Sequence, residues 1–396
     1  MVSSIEKGST FILNLSIFSV MLGLGFIAPL LPIYATSLGA SGFEIGVIFA
    51  AFAVVRAATM IPFGSLSDIF GRKFFIVLGM GVYVLASITY VLSKTVLQLI
   101  FCRILHGIAS ALVVPAAMAY VADVSPEDRR GEAMGLFNTA LFAGIGFGPL
   151  LGGILADKLS FHAPFYMCAF LASIGLVLDT FKLRESRKQG FSGTIGDIKI
   201  IKISYGFYLL RDKNMLSIVF SRIVTSAGFS ALLAFFPLIG FKLGLGISEV
   251  GLLLTVQALA LIIFQKKFGK LSDKYGRKNL MVLGSIIGGI SLTLLTFTKN
   301  FLDFLIILIF FGLAGGITAP AYSAAIADLS GRERFGEAMG LFLTAMSIGM
   351  GLGPIMGGII ADFTSLVNIF YVTALLTFIG AFILIFMFKE TVKPKP

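Results

Sequence analysis

Five ionisable residues fall inside long apolar runs of this chain: Arg56, Arg103, His106, Asp179 and Arg222. Charge held among apolar groups is costly, so each is a candidate for ligand binding or proton exchange. Arg103 and His106 are three residues apart and share one face of a helix. A guanidinium there can hold an anion or a hydrogen-bond acceptor, and a histidine changes charge near neutral pH. Asp179 lies about a turn from the end of its run. It reads either as a proton carrier or as a helix-end charge paired with Lys182 or Arg184. Arg56 and Arg222 read either as site residues or as side chains that pack or snorkel. Asn14, Asn138 and Gln257 add hydrogen-bonding groups in otherwise apolar surroundings. No carboxylate lies near the middle of any run, which weighs against a site for cationic ligands.

A second chemical set lies between the runs. Residues 64–73, GSLSDIFGRK, recur as GKLSDKYGRK at 269–278, an offset of 205 that holds along most of the chain. Gly64 and Gly71 allow tight turns. Asp68, Arg72 and Asp123 are placed to cluster, and Asp273, Arg277 and Asp328 repeat them; Lys73 follows Arg72. The recurrence of the acidic members points past topology, because Asp contributes little to membrane orientation. Gly144, Gly148 and Gly152 form a small-residue stripe with Pro149, repeated as Gly349, Gly353 and Gly357 with Pro354. Such a stripe lets another backbone approach closely, and the proline removes a helical hydrogen bond. The three arginines inside the runs have no basic counterparts: at the same offset stand Leu261, Leu308 and Ile17.

The elements that must position these residues are membrane spans. The chain is 57% hydrophobic and 13% charged over 396 residues, where a soluble domain carries roughly 25% charge. A span needs about 20 apolar residues. Twelve runs qualify, at about 11–34, 43–63, 74–93, 97–120, 132–155 and 163–182, then 215–238, 248–268, 279–298, 302–325, 337–360 and 367–388. The expected fold is an all-α membrane protein of twelve helices in two six-helix bundles related by a pseudo-twofold axis. The first bundle is residues 1–183, a linker covers 184–213, and the second bundle is 214–396. Basic residues divide 24 to 4 between the two sides, which places both termini in the cytoplasm. The net charge of +11 therefore reflects topology; no basic helix or aromatic-basic strand set fits nucleic acid. The two cysteines and two histidines are scattered, so neither a disulfide framework nor a metal site is expected.

The loop G-x-L-x-D-x-x-G-R-K resembles the signature loop of the major facilitator superfamily. RILHG at 103–107 resembles that family's R-x-x-Q-G element, with His106 in the glutamine position. GIGFGPLLGG at 144–153 resembles the glycine-proline element of its twelve-span drug:proton antiporters. The resemblance implies alternating access, a role for Arg103 in substrate or proton coupling, and cytoplasmic latching by the two acid–arginine clusters. It further implies proton-coupled efflux of small amphipathic organic compounds by a monomer in the cell (inner) membrane. No cofactor is expected, the proton gradient being the energy source. A proton-coupled importer, or an organic-anion or lipid transporter on the same scaffold, is the alternative. An ATP-driven pump is not supported, since no G-x-x-x-x-G-K-[ST] is present. Neither HExxH nor paired acids support an enzyme.

Overall fold

A computed structural model describes residues 4–126, 129–186 and 208–391, without the side chains of 4–9, 131, 273 and 331–337. Most of the expected linker and the side chain of Asp273 thus lie outside the described residues. Hydrocarbon offers no partner to a peptide N–H or C=O, so each span must satisfy its own backbone. The chain does so as α1 (Ser4–Ser37), α2 (Gly42–Phe70), α3 (Arg72–Leu92), α4 (Val96–Val124), α5 (Arg130–Lys158) and α6 (Ala163–Lys182). There follow α7 (Lys213–Lys242), α8 (Ile247–Tyr275) and α9 (Arg277–Leu294). Helical bonding is continuous over Phe301–Phe363 and carries two spans, α10 (Phe301–Ser330) and α11 (Ala338–Phe363). The last helix is α12 (Leu366–Met387). All 12 spans are long and apolar enough to cross a bilayer, and the described residues contain no strand.

Several helices outrun their apolar stretches. α2 continues to Phe70, α4 to Val124 and α8 to Tyr275. Apolarity ends where lipid ends, but the hydrogen-bond ladder runs on until something breaks it. For α2 and α8 the breaks are Gly71 (φ 101) and Gly276 (φ 91), in a region that a residue with a Cβ enters only at a cost. The far ends of equivalent helices are capped alike. The side chains of Thr95 and Asn300 accept from the backbone N–H of Gln98 and Asp303, opening α4 and α10.

The described residues form two compact units. The first draws on 4–39, 51–126, 129–186 and Gly246–Gly251, the second on Ala40–Ala50, 208–245 and 252–391. In the first, α5 lies along α1 through the glycine stripe. A Cβ built on Gly144 would stand 2.6 Å from the Phe18 carbonyl, one on Gly148 2.5 Å from the Gly25 Cα, and one on Gly152 2.6 Å from the Phe26 Cα. In the second, a Cβ on Gly349 or Gly353 would strike the backbone of Ile223 or Ala227 on α7, and one on Gly357 the Phe235 ring at 2.8 Å. Pro149 and Pro354 sit within these helices without ending them. Each unit has its own core. Leu13, Ile17, Ile76, Met80, Val113 and Tyr120 belong to the first, and Met215, Ile218, Met281, Tyr322, Leu384 and Phe388 to the second.

Gly148→Ala forces α1 and α5 apart and is expected to cost about 1–3 kcal/mol, as overpacking does. Gly81→Ala, in the same unit, meets nothing within 4 Å and leaves stability unchanged or slightly raised. Thermal unfolding of the detergent-purified variants checks the contrast.

Candidate functional site

Each unit carries an acid–arginine cluster at the glycine break. The short α2–α3 connection at Gly71 delivers Arg72 into the first turn of α3, where it is 7% exposed. Its guanidinium pairs with Asp68 one turn back on α2 and meets Asp123 of α4 at 3.4 Å. It also donates to Ser67 Oγ at 2.7 Å. In the second unit Arg277 meets Asp328 at 3.1 Å and donates to the backbone carbonyl of Ser272. Gly64 of α2 faces Pro115 of α4, with 3.6 Å left for a Cβ.

A further acid in each cluster escaped the sequence reading. Glu185, just past α6, accepts from the backbone N–H of Arg72 at 2.9 Å and of Lys73 at 3.2 Å. Glu390 accepts from Arg277 and Lys278, both at 2.9 Å. These carboxylates satisfy the otherwise unpaired N–H groups at a positive helix terminus. Ser186 and Thr391 complete each cluster by donating to Asp123 at 3.1 Å and Asp328 at 2.8 Å. The signal was available, because Glu185 and Glu390 are themselves 205 apart.

The intramembrane candidates gather into separate sets. In the first unit Arg103 lies over the Phe52 ring, its guanidinium carbon 4.4 Å from the centroid. Arg56 reaches the same ring at 6.0 Å. His106 stands edge-on to Phe52 at 5.7 Å and to Tyr83 at 5.0 Å. It is 2% exposed, and neither ring nitrogen has a hydrogen-bond partner. A cavity of about 10 Å³ beside it is lined by Ser19, Tyr83, Ser87, His106 and Cys168 among others, room for about one water. Phe52 is the organising ring here, and sequence reasoning passed over it as one phenylalanine among 40. Its position four residues before Arg56, one turn away on α2, was the available clue.

Arg222 belongs to the second unit and a different neighbourhood. It lies 4.9 Å from the Phe342 centroid and donates to the Met346 sulfur at 2.8 Å. Gln257 is buried on α8, and Asn14 is half-buried with an unpartnered carbonyl oxygen, whereas Asn138 is exposed. Asp179 differs from its helix-end reading. It is fully buried, accepts from Ser16 Oγ of α1 at 3.0 Å, and makes no ion pair with Lys182 or Arg184. The reason is rotational: Asp179 faces inward from α6, while Lys182 and Arg184 are exposed. Among the described residues no group of three or more His, Cys, Asp or Glu is placed to hold a metal.

Twelve spans in two repeated units, with arginines held on aromatic faces inside them, define a multi-pass membrane transporter. The model of the Major Facilitator Superfamily matches residues 13–219 and again 218–396, and the chain belongs to that family. It resembles the drug:proton antiporter branch. It is 38% identical to an uncharacterized MFS-type transporter of Methanocaldococcus jannaschii, over 95% of this chain and 96% of that one. It is 33% identical to multidrug resistance protein 2 of Bacillus subtilis, over 90% of each chain. Among solved structures, a bacterial homolog of the human lysosomal transporter Spinster, in an inward-facing and unoccupied conformation, shares the fold with TM-score 0.79. That match is 18% identical and covers 96% of each chain. These family members and relatives are transporters, and a small-molecule substrate and a lipid bilayer are the partners that follow.

Arg72→Ala leaves Asp123 without its cation and Ser67 without its donor, for an expected loss of about 1–3 kcal/mol. Lysine restores the charge but not the fork, so Arg72→Lys should fall between. Thermal unfolding of the purified variants gives the order.

Proposed function

We propose that this chain exports small amphipathic organic compounds in exchange for protons by alternating access, in the cell (inner) membrane with both termini cytoplasmic. The observation that carries the reading is the Arg103–Phe52 pair, a cation on an aromatic face within a membrane helix bundle. An aromatic face takes the apolar body of a ligand while a guanidinium holds its polar end. The pair exists in one unit only: the positions of Phe52 and Arg103 are Gln257 and Leu308 in the second. The scaffold is thus shared and the placement of the cation is not, since the second unit's Arg222 on Phe342 corresponds to Ile17 and Phe137 in the first. The name of the Bacillus subtilis relative, multidrug resistance protein, supports export of varied compounds.

In this proposal the two acid–arginine clusters serve as cytoplasmic latches, formed in one access state and loosened in the other. Arg72 bridging Asp68 and Asp123 ties three helices, α2, α3 and α4, with one charge. A second reading, transport of organic anions in either direction, draws on Arg56, Arg103 and Arg222 and on the absence of a mid-span carboxylate.

Purified protein in proteoliposomes, with a pH-sensing dye inside, tests the proposal against ethidium as a cation, carboxyfluorescein as an anion and progesterone as a neutral probe. Proton movement opposite to a probe is the expected result. Movement of both in one direction supports an importer, and no flux of any probe sinks the efflux reading. Asp68→Asn is expected to cut transport while the amount of protein in the membrane stays at the wild-type level. Full transport by Asp68→Asn removes the latch.

A further inference from the structure

Asp179 is the one carboxyl among the described residues that is buried. It sits on α6, which packs against α1 and α3 and more lightly against α5. From α1, Ser16 donates to its Oδ1 at 3.0 Å. Its Oδ2 is buried with no partner at all. From α3, Lys73 is the charged group whose field reaches it, without an ion pair, and no titratable group of α5 acts on it. Met80 of α3 closes over Gly175, a turn above. One neutral donor cannot hold an ionised carboxylate in such a place, since a buried charge must be paired or given up. Burial beside a single neutral donor therefore favours the protonated carboxyl over the carboxylate.

The second unit shows that the fold does not need an acid there. The register is secure, because Glu185 and Glu390 bind the same backbone groups at equivalent helix starts. By that register Asp179 corresponds to Leu384, a fully buried core residue. Ser16 corresponds to Ser221, whose hydroxyl is paired with the Tyr322 hydroxyl instead. One repeat thus fills the position with an ordinary leucine. The other places a titratable group there, a turn from the end of a membrane helix, at a cost that packing does not recover.

We propose that Asp179 is the proton-binding carboxyl of this transporter, neutral when sealed against Ser16 and ionised when α1 and α6 part enough to admit water. Release is a simple dissociation, COOH giving a carboxylate and a proton to cytoplasmic water, with rebinding from the other side. The inference rests on the proton-exchange reading above.

Infrared spectroscopy of the full-length protein in lipid, titrated from mildly acid to alkaline pH, tests it directly. Wild type should show a protonated-carboxyl C=O band that disappears as pH rises, and Asp179→Asn and Asp179→Leu should lack it. Ser16→Ala should keep the band and move its midpoint, which assigns the band even if the Asp179 variants fold poorly. In proteoliposomes with ethidium, carboxyfluorescein and progesterone, the Asp179 variants should lose pH-gradient-driven efflux of whichever probe wild type carries, yet retain exchange of that probe across the membrane. Absence of a titrating band in wild type overturns the inference, as does gradient-driven efflux undiminished in Asp179→Asn. A titrating band in a wild type that moves no probe against protons would leave Asp179 as a proton site and sink the efflux reading instead.

Discussion

Charge cannot stay in hydrocarbon unless something meets it, and that constraint orders this protein. Where the chain leaves the apolar layer, the answer is a set of ion pairs: Arg72 with Asp68 and Asp123, and Arg277 with Asp328. Within the layer, aromatic faces do the same work, Phe52 for Arg103 and Phe342 for Arg222. Asp179 has neither an ion pair nor a ring, and the proposal above has it neutral while it is sealed against Ser16. The positions of these residues are not independent choices. Each follows from which helix face turns inward and how far the helix runs before glycine stops it.

The duplication makes the division between scaffold and chemistry visible. Gly71 and Gly276, Asp123 and Asp328, Glu185 and Glu390, and the glycine seams of α5 and α11 recur because each answers a geometric demand made twice. A tight turn, a helix start or a close backbone approach admits few residues. The interior positions answer no such demand. Leucine serves at 308 and 384 as well as arginine and aspartate serve at 103 and 179, so the two copies were free to diverge there. Divergence inside a fixed mould is the pattern expected when one repeat takes on ligand or proton chemistry.

Most of the fold was legible in the sequence. Length and apolarity give the twelve spans, because a bilayer sets one thickness for all of them. The helix ends were less legible: α2 and α8 extend past their apolar runs to the glycine breaks, and hydropathy carries no information once the chain is in water. The pairing of Arg72 with Asp68 and Asp123 was readable from the repeat, whereas its contacts with Ser67 and Glu185 were not read, although Glu185 recurs as Glu390 at the same offset. The interior site was half legible. An arginine in an apolar run announces itself, but the ring beneath it does not, because Phe52 differs from its many neighbours only in where α2 turns it. For Asp179 the sequence left two readings open, and only the pairing with Lys182 or Arg184 is at odds with the structure. Spacing puts Lys182 within reach along the chain, while the helix face puts Ser16 there instead.

The contact of α1 with α5 has a bearing on energy conservation. At Gly25 and Gly148 the two backbones meet with no side chain between them, which leaves no width for a file of water molecules along that seam. A proton cannot hop where no such wire exists. In a proton-driven exporter, as proposed above, such a seam gives protons no water-filled path between α1 and α5 at those glycines.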